Sequence, residues 1–252
     1  MSILCPEIKI HVGRRVGIGA LIFFVMLAGI FMSVLIIPKR NLRNQRFIRK
    51  GRLRNDIRCE EWEDGIVYCR WNRCEAGTAD FFKEFVKESP RHRGTIVDLR
   101  GNAGGSLPEG IAFAGLWYEE GAQLLTLHRE EDGPAVASVK NLAERELQSP
   151  VVAVIDGRTA STAEVVAGLI GALPNGFLVG QKTAGDPVAR VDIIAGDPPC
   201  SMEMRLTIQL QGRAVYHNGI EPDFPIKPGA NFQARFHEQS LRILNTPLGD
   251  KL

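Results

Sequence analysis

No CxxC pair occurs in this chain, and none of its five His residues stands at metal-ligand spacing, so the sequence gives no support to a zinc site. No GxGxxG and no GxxxxGK[ST] is present, which leaves nucleotide binding without a phosphate-cradling loop. No internal repeat is visible. Charge of one sign does not predominate: 31 Lys and Arg against 29 Asp and Glu leave a net charge of +2, too little for nucleic-acid binding by the whole molecule. With 44% hydrophobic residues, 26 Gly and 14 Pro in 252, the composition excludes a wholly disordered chain, a collagen-like repeat and a long coiled coil. The length allows one or two domains with a sizeable core.

Charge is missing altogether from residues 16–37, VGIGALIFFVMLAGIFMSVLII, in which Ser33 carries the one hydroxyl. A helix of that length spans the hydrocarbon core of a bilayer. The h-region is long for a signal peptide, and IIPKRNLRNQR after it lacks the small-x-small cleavage pattern. The expectation is a single N-terminal transmembrane helix acting as a signal anchor, after a short tail over residues 1–15. Residues 38–58 then read as a basic juxtamembrane linker facing lipid. Lys9, Arg14 and Arg15 precede the apolar run, whereas Lys39, Arg40, Arg43, Arg46, Arg49, Lys50, Arg52 and Arg54 follow it. By the positive-inside rule this puts the C-terminal side in the cytoplasm.

Of the five cysteines, Cys59, Cys69, Cys74 and Cys200 follow the apolar run and Cys5 precedes it. In an oxidising compartment those four form two disulfides in any of three pairings. Cys69, inside an apolar strand-like run, reads equally as a buried free thiol.

The globular part is read as residues 59–252, about 190 residues and one domain in size. Strand patterns at Gly65–Trp71, Thr95–Leu99, Ala122–Leu127, Val151–Ile155, Phe177–Gly180 and Met204–Leu210 alternate with helical patterns. The helices are expected at Thr78–Glu88, Pro108–Tyr118, Ser161–Leu173 and residues 232–244, and Pro134–Ser149 reads as a polar connection. Such alternation predicts an α/β fold with a largely parallel sheet.

Two segments carry chemistry. In TIVDLRGNAGGSL, Thr95–Leu107, a buried strand runs into Gly101, Gly104 and Gly105. Glycines there form either a tight turn or a cradle of bare N–H groups for an oxyanion. In PVVAVIDGRTASTAEVVAG, Pro150–Gly168, a strand leads into a helix starting near Ser161. A hydroxyl at that junction lies beside free N–H groups at the positive end of the helix dipole, a good place for a nucleophile. Ser161 with Glu164 also reads S-x-x-E, a capping box, and both readings stand at this point.

Together these segments resemble the tail-specific, or C-terminal-processing, serine proteases. TIVDLRGNAGGSL is similar to their LDLRGNPGG segment, and PVVAVIDGRTASTAEVVAG to PLVVLVNxxTASASEIxAG. FLVGQKTAG follows where they have xxVGExTFGKG, and GIEPDFPI resembles their closing GVxPDxxV. Four motifs in order, over roughly residues 62–228, make a specific signal. The resemblance implies a Clp-protease/crotonase-like core of βαβ units, cleavage of polypeptides near unstructured C-termini, no cofactor, and a location outside the cytoplasm, against the charge count.

Carried over position by position, the resemblance implies Ser161 as nucleophile and the N–H groups of Gly105 and Thr162 as oxyanion donors. The usual general base is a Lys twenty-five residues after the Ser; here that position is Asp186, and Arg190 stands where a Gln is usual. Lys182, four residues upstream of Asp186, is an alternative base. A second, tricorn-like branch uses a His near Tyr68 and a Glu near Tyr216, and neither matches; His217, adjacent to the latter, is with Asp186 and Lys182 a candidate base. The usual PDZ domain has no counterpart in the chain, which points to a partner or adaptor protein, or to membrane proximity, for substrate choice. The readings are a membrane-anchored serine peptidase, a tail-binding pseudo-protease, and a crotonase-like acyl-transfer enzyme for which no CoA signature exists.

Overall fold

The computed structural model describes residues 48–62, 64–128, 135–185, 188–195, 200–210, 213–214, 218–227 and 231–246. The chain divides into Met1–Gln45 and Arg46–Leu252, and every described residue belongs to the second unit. The apolar run 16–37 therefore lies outside the described residues, among which no helix is long and apolar enough to cross a membrane.

Seven strands form the main sheet: β1 (Ile48–Leu53), β2 (Ile57–Trp62), β3 (Ile66–Trp71), β4 (Gly94–Asp98), β7 (Val151–Ile155), β8 (Gly176–Gly180) and β12 (Phe224–Pro225), in that spatial order. From β3 to β12 all neighbours are parallel, while β1, β2 and β3 pair antiparallel. A smaller antiparallel sheet contains β5 (Gln123–His128), β6 (Ala135–Lys140), β9 (Val188–Ala195), β10 (Cys200–Leu210) and β11 (Arg213–Ala214). The helices are α1 (Thr78–Lys87), α2 (Leu107–Gly115), α3 (Thr162–Ala172) and α4 (Phe232–Asn245).

Why the centre is parallel follows from residue choice. β4 (GTIVD) and β7 (VVAVI) are buried at every position, as strands covered on both faces must be. Alternate residues feed two cores. Val97 and Ala153 join Phe82, Phe113, Val165 and Val166 beneath α1, α2 and α3, whereas Ile96 and Val152 join Phe236, Ile243 and Leu244 of α4. The loops at the carboxyl ends of β4, β7 and β8 emerge along one edge of the sheet, where ligands of such folds bind.

Three expectations are corrected. The main sheet starts at Ile48, upstream of the boundary read at residue 59, so part of the basic stretch is strand. Edge strands tolerate charge, and β2 conceals its alternation because a buried Glu61 follows buried Ile57 and Cys59. Cys69 is not a free thiol: it faces Cys59 across β2 and β3 and is disulfide-bonded to it, both side chains fully buried. Among the described residues the free buried thiol is Cys74, which burial pushes up to about 12. The expected polar connection over Pro134–Ser149 contains β6, in which Ala135, Ala137, Ser138 and Lys140 are exposed while Val139 packs against the core.

Candidate active site

Asn102 shapes the loop after β4. Its buried side chain accepts from the Gly104 N–H at 2.8 Å and donates to the Trp71 carbonyl at 3.1 Å. The chain then threads past Cys74, whose N–H donates to the Gly104 carbonyl (3.0 Å) and whose carbonyl accepts from the Ser106 N–H (2.8 Å). Gly105, held between these bonds at φ 139°, has no room for a side chain: a Cβ there would lie 2.3 Å from the Cys74 carbonyl oxygen.

The loop after β7 is stitched to this turn by four hydrogen bonds. Gly101 N–H donates to Asp156 Oδ1 (2.9 Å), Thr159 Oγ1 to the Leu99 carbonyl (3.0 Å), Ala160 N–H to the Asn102 carbonyl (3.0 Å) and Thr162 Oγ1 to the Gly105 carbonyl (2.9 Å). Two sequence motifs nearly sixty residues apart thus become one edge. The contact is tight: a Cβ on Gly104 would lie 2.9 Å from both Ser161 Cβ and Thr162 N.

Ser161 sits at the summit of that edge with φ 55° and ψ −127°. An ordinary N-cap residue is extended. A serine at positive φ is strained, and such strain gathers at functional sites, as at the sharp strand-to-helix turns that expose a nucleophile. The capping box of the sequence also exists, since Glu164 Oε2 accepts from the Ser161 N–H at 3.1 Å. Cap and strained elbow are therefore the same residue. Among the described residues, the N–H groups of Gly105 and Thr162 donate no hydrogen bond. Both donors lie at the junction of the turn with the N-terminus of α3, which carries partial positive charge.

The candidate bases fare differently. Lys182 Nζ is ion-paired with Glu221 at 2.9 Å, on a side chain 48% exposed, and is not hydrogen-bonded to Ser161. Asp186, Tyr216 and His217 lie outside the described residues, and Arg190 is described through its backbone pairing in β9 with Arg205. Tyr68, where the second branch of the family has its His, donates to Asp98 Oδ2 at 2.8 Å, and burial pushes its phenol above the ordinary range. Burial opposes ionisation of Asp98, but the hydrogen bonds and charges of Arg100, Arg70 and Tyr68 outweigh it and hold the carboxyl low. Of the guanidiniums lining this cavity of about 430 Å³, Arg70 and Arg100 are turned onto Asp98 and Arg158 pairs with Asp156 at 3.6 Å, and Arg100 also stacks on Phe236 at 4.0 Å.

Sequence reasoning missed the weight carried by Asn102 and Thr159. The signal was present in the polar residues flanking the glycines and in the Thr before Ser161. It was also present in Thr183, buried in the loop after β8, whose hydroxyl accepts from the Ile220 N–H at 2.7 Å.

Known proteins resemble this chain in fold and in sequence. A solved putative peptidase from Parabacteroides merdae superposes with a TM-score of 0.61 at 15% identity, covering 79% of this chain and 67% of that one, and shares its fold. The carboxy-terminal processing protease CtpA of Bacillus subtilis is 26% identical over 134 residues, 52% of this chain and 28% of that protein. The carboxyl-terminal-processing protease of Synechocystis is 37% identical over 92 residues, 36% of this chain and 21% of its own length. The match therefore spans about a quarter of the length of these two relatives. The model of peptidase family S41 matches residues 65–226, from the start of β3 to just past β12 and including both site loops, and the chain belongs to that family.

Proposed function

We propose that this protein is a serine peptidase with Ser161 as nucleophile. The Ser161 hydroxyl oxygen attacks the carbonyl carbon of a peptide bond and gives its proton to a base. The N–H groups of Gly105 and Thr162 receive the negative charge on the former carbonyl oxygen. Collapse of that intermediate expels the amine with a proton, and water then releases the acyl group from Ser161. The observation that carries this reading is the strained Ser161 pressed against Gly104, with two unpaired N–H groups beside it. Polypeptides are the substrates that such chemistry and the family imply.

The family lysine position holds Asp186, so the base differs from the usual one. That departure favours a second reading, a protein of the same fold that binds peptide tails without cutting them. The Cys59–Cys69 disulfide supports placing the domain in an oxidising compartment, on the extracytoplasmic face of a membrane anchored through residues 16–37. The basic stretch after them contacts lipid, and an adaptor selects substrate.

The deciding experiment is hydrolysis of an unstructured polypeptide by the detergent-solubilised full chain and its Ser161→Ala variant, from pH 5 to pH 10. Turnover in the first and none in the second supports the peptidase. A rate limb near 6–7 identifies a His base and a higher one a Lys. Equal peptide binding by both with turnover by neither supports the tail-binding reading.

A further inference from the structure

We propose that Glu164 is a positioning residue that holds the Ser161 elbow and the loop after β8 in one fixed relation; the proposal rests on the peptidase reading. A capping box needs one carboxylate oxygen, on the N-cap N–H. Glu164 uses both. Oε2 accepts from the Ser161 N–H at 3.1 Å. Oε1 accepts from Thr183 Oγ1 at 2.5 Å and from the Gly185 N–H at 2.8 Å, on a loop about twenty residues further along the chain. The side chain is fully buried. Burying a carboxylate is costly, and the protein holds this one where donors from two segments converge on it.

The hydrogen bonds continue outward. Thr183 Oγ1 accepts from the Ile220 N–H at 2.7 Å, and the Thr183 N–H donates to the Ile220 carbonyl at 3.1 Å. Gly219, at φ 71°, packs so closely that a Cβ there would lie 2.5 Å from the Thr183 carbonyl oxygen. Ala184 N–H donates to the Thr159 carbonyl at 2.9 Å, tying the same loop to the segment before Ser161. One carboxylate thus joins the nucleophile's own backbone to the loop after β8, and through Thr183 to residues 219–220. Gly185, bonded to Glu164, directly precedes in sequence Asp186, which stands at the family's base position.

The consequence is kinetic. Pinning the Ser161 N–H fixes the peptide plane entering the elbow, and with it the attack direction of the hydroxyl. Glutamine cannot replace Glu164: its amide group would set donor against donor at either Ser161 or the Thr183–Gly185 pair.

The test compares Glu164→Gln, Thr183→Val and the double variant in the full chain. It measures kcat and KM for an unstructured polypeptide, the thermal midpoint, and amide hydrogen exchange at Ser161 and Gly185. The expected result for Glu164→Gln is a fall in kcat of about a hundredfold with KM changed less than about twofold. Exchange at both amides rises in a protein still folded at the assay temperature. The double variant is expected to be no slower than Glu164→Gln alone, because both changes cut one connection. A kcat within twofold of wild type while both amides lose protection overturns the proposal. So do additive effects of the two changes, or a loss of kcat that follows global unfolding. Absence of turnover in the unaltered protein refutes the peptidase reading instead. The exchange arm then judges the strap by itself, and unchanged protection at Gly185 in Glu164→Gln overturns it.

Discussion

Replacing Gly104 by alanine is the sharpest probe of the edge on which Ser161 stands, because it removes no functional atom. Gly104 has φ 95°, a conformation that costs an L-residue roughly 1–2 kcal/mol. The added methyl would also lie 2.9 Å from Ser161 Cβ and Thr162 N and 3.1 Å from the Ala160 carbonyl oxygen. None of these is the free end of a flexible side chain, so the elbow itself must give by a few tenths of an ångström. The combined destabilisation is about 2–3 kcal/mol, a fall in thermal midpoint of roughly 5–10 °C for a domain this size. On the proposed peptidase reading the effect on catalysis is larger, since small displacement of a nucleophile from its oxyanion donors costs on the order of a hundredfold in kcat. Gly121→Ala is the control. Gly121 has φ 78° and nothing within 4 Å of its would-be Cβ, so it bears the same backbone cost without the collision. The assay is polypeptide hydrolysis beside thermal unfolding for both variants. Gly104→Ala with wild-type kcat, or Gly121→Ala with an equal loss, would refute the assignment of this contact to the active site.

Two further outcomes follow from burial and cross-linking. His92, hydrogen-bonded to Thr95 Oγ1 at 2.9 Å and sharing a cavity with Lys83, Lys87 and Glu146, is pushed by burial down to about 4. Unfolded, it titrates near 6.5, so between those values the unfolded chain binds more protons. Its contribution is present above about pH 6.5 and lost as the pH falls towards 4, at most about 3 kcal/mol; His92→Gln should flatten that part of the stability curve measured by denaturant unfolding. The Cys59–Cys69 disulfide closes a loop with a sequence separation of 10, worth about 2–3 kcal/mol in the chain-entropy account. Cys59→Ala with Cys69→Ala should lower the thermal midpoint by roughly 5–10 °C, and an unchanged midpoint would show that the bond is not formed in the purified protein.

The central architecture was legible because VVAVI is apolar throughout and TIVDL interrupts its apolar run with Thr95 and Asp98 alone; both read as covered parallel strands, and glycines or an Asp–Gly at their ends announce the loops. The candidate site was marked in the sequence by Ser161, Gly104 and Gly105, and the close backbone approach at both glycines is one reason a strand is followed by bare glycines. What escaped notice lacked an apolar signature. β1 carries charge because an edge strand faces water, β2 places Glu61 where a hydrophobic residue is expected, and β6 exposes most of its side chains. Glu164 was visible as a cap and nothing more, because its second oxygen meets partners 19 and 21 residues away, a relation that local spacing does not encode.

Cap and nucleophile make opposite predictions about one substitution. Glycine occupies φ 55°, ψ −127° without penalty and keeps the N–H that donates to Glu164. If Ser161 is held there against its preference, Ser161→Gly releases roughly 1–3 kcal/mol of backbone strain. About 0.5–1 kcal/mol of that is offset by the greater freedom of glycine in the unfolded chain. The variant should be more stable than the unaltered protein by about 1 kcal/mol, a rise of roughly 2–4 °C, and should hydrolyse nothing. A serine whose purpose is to cap α3 predicts the other sign, since replacing an N-cap Ser by Gly costs a few tenths of a kcal/mol. Thermal unfolding of the two proteins side by side reads the difference. A midpoint below that of the unaltered protein would mean that the strain is not stored and that Ser161 is there for its helix. A rise would mean that the fold gives up stability to keep a hydroxyl at this point, a trade natural proteins make where activity depends on it.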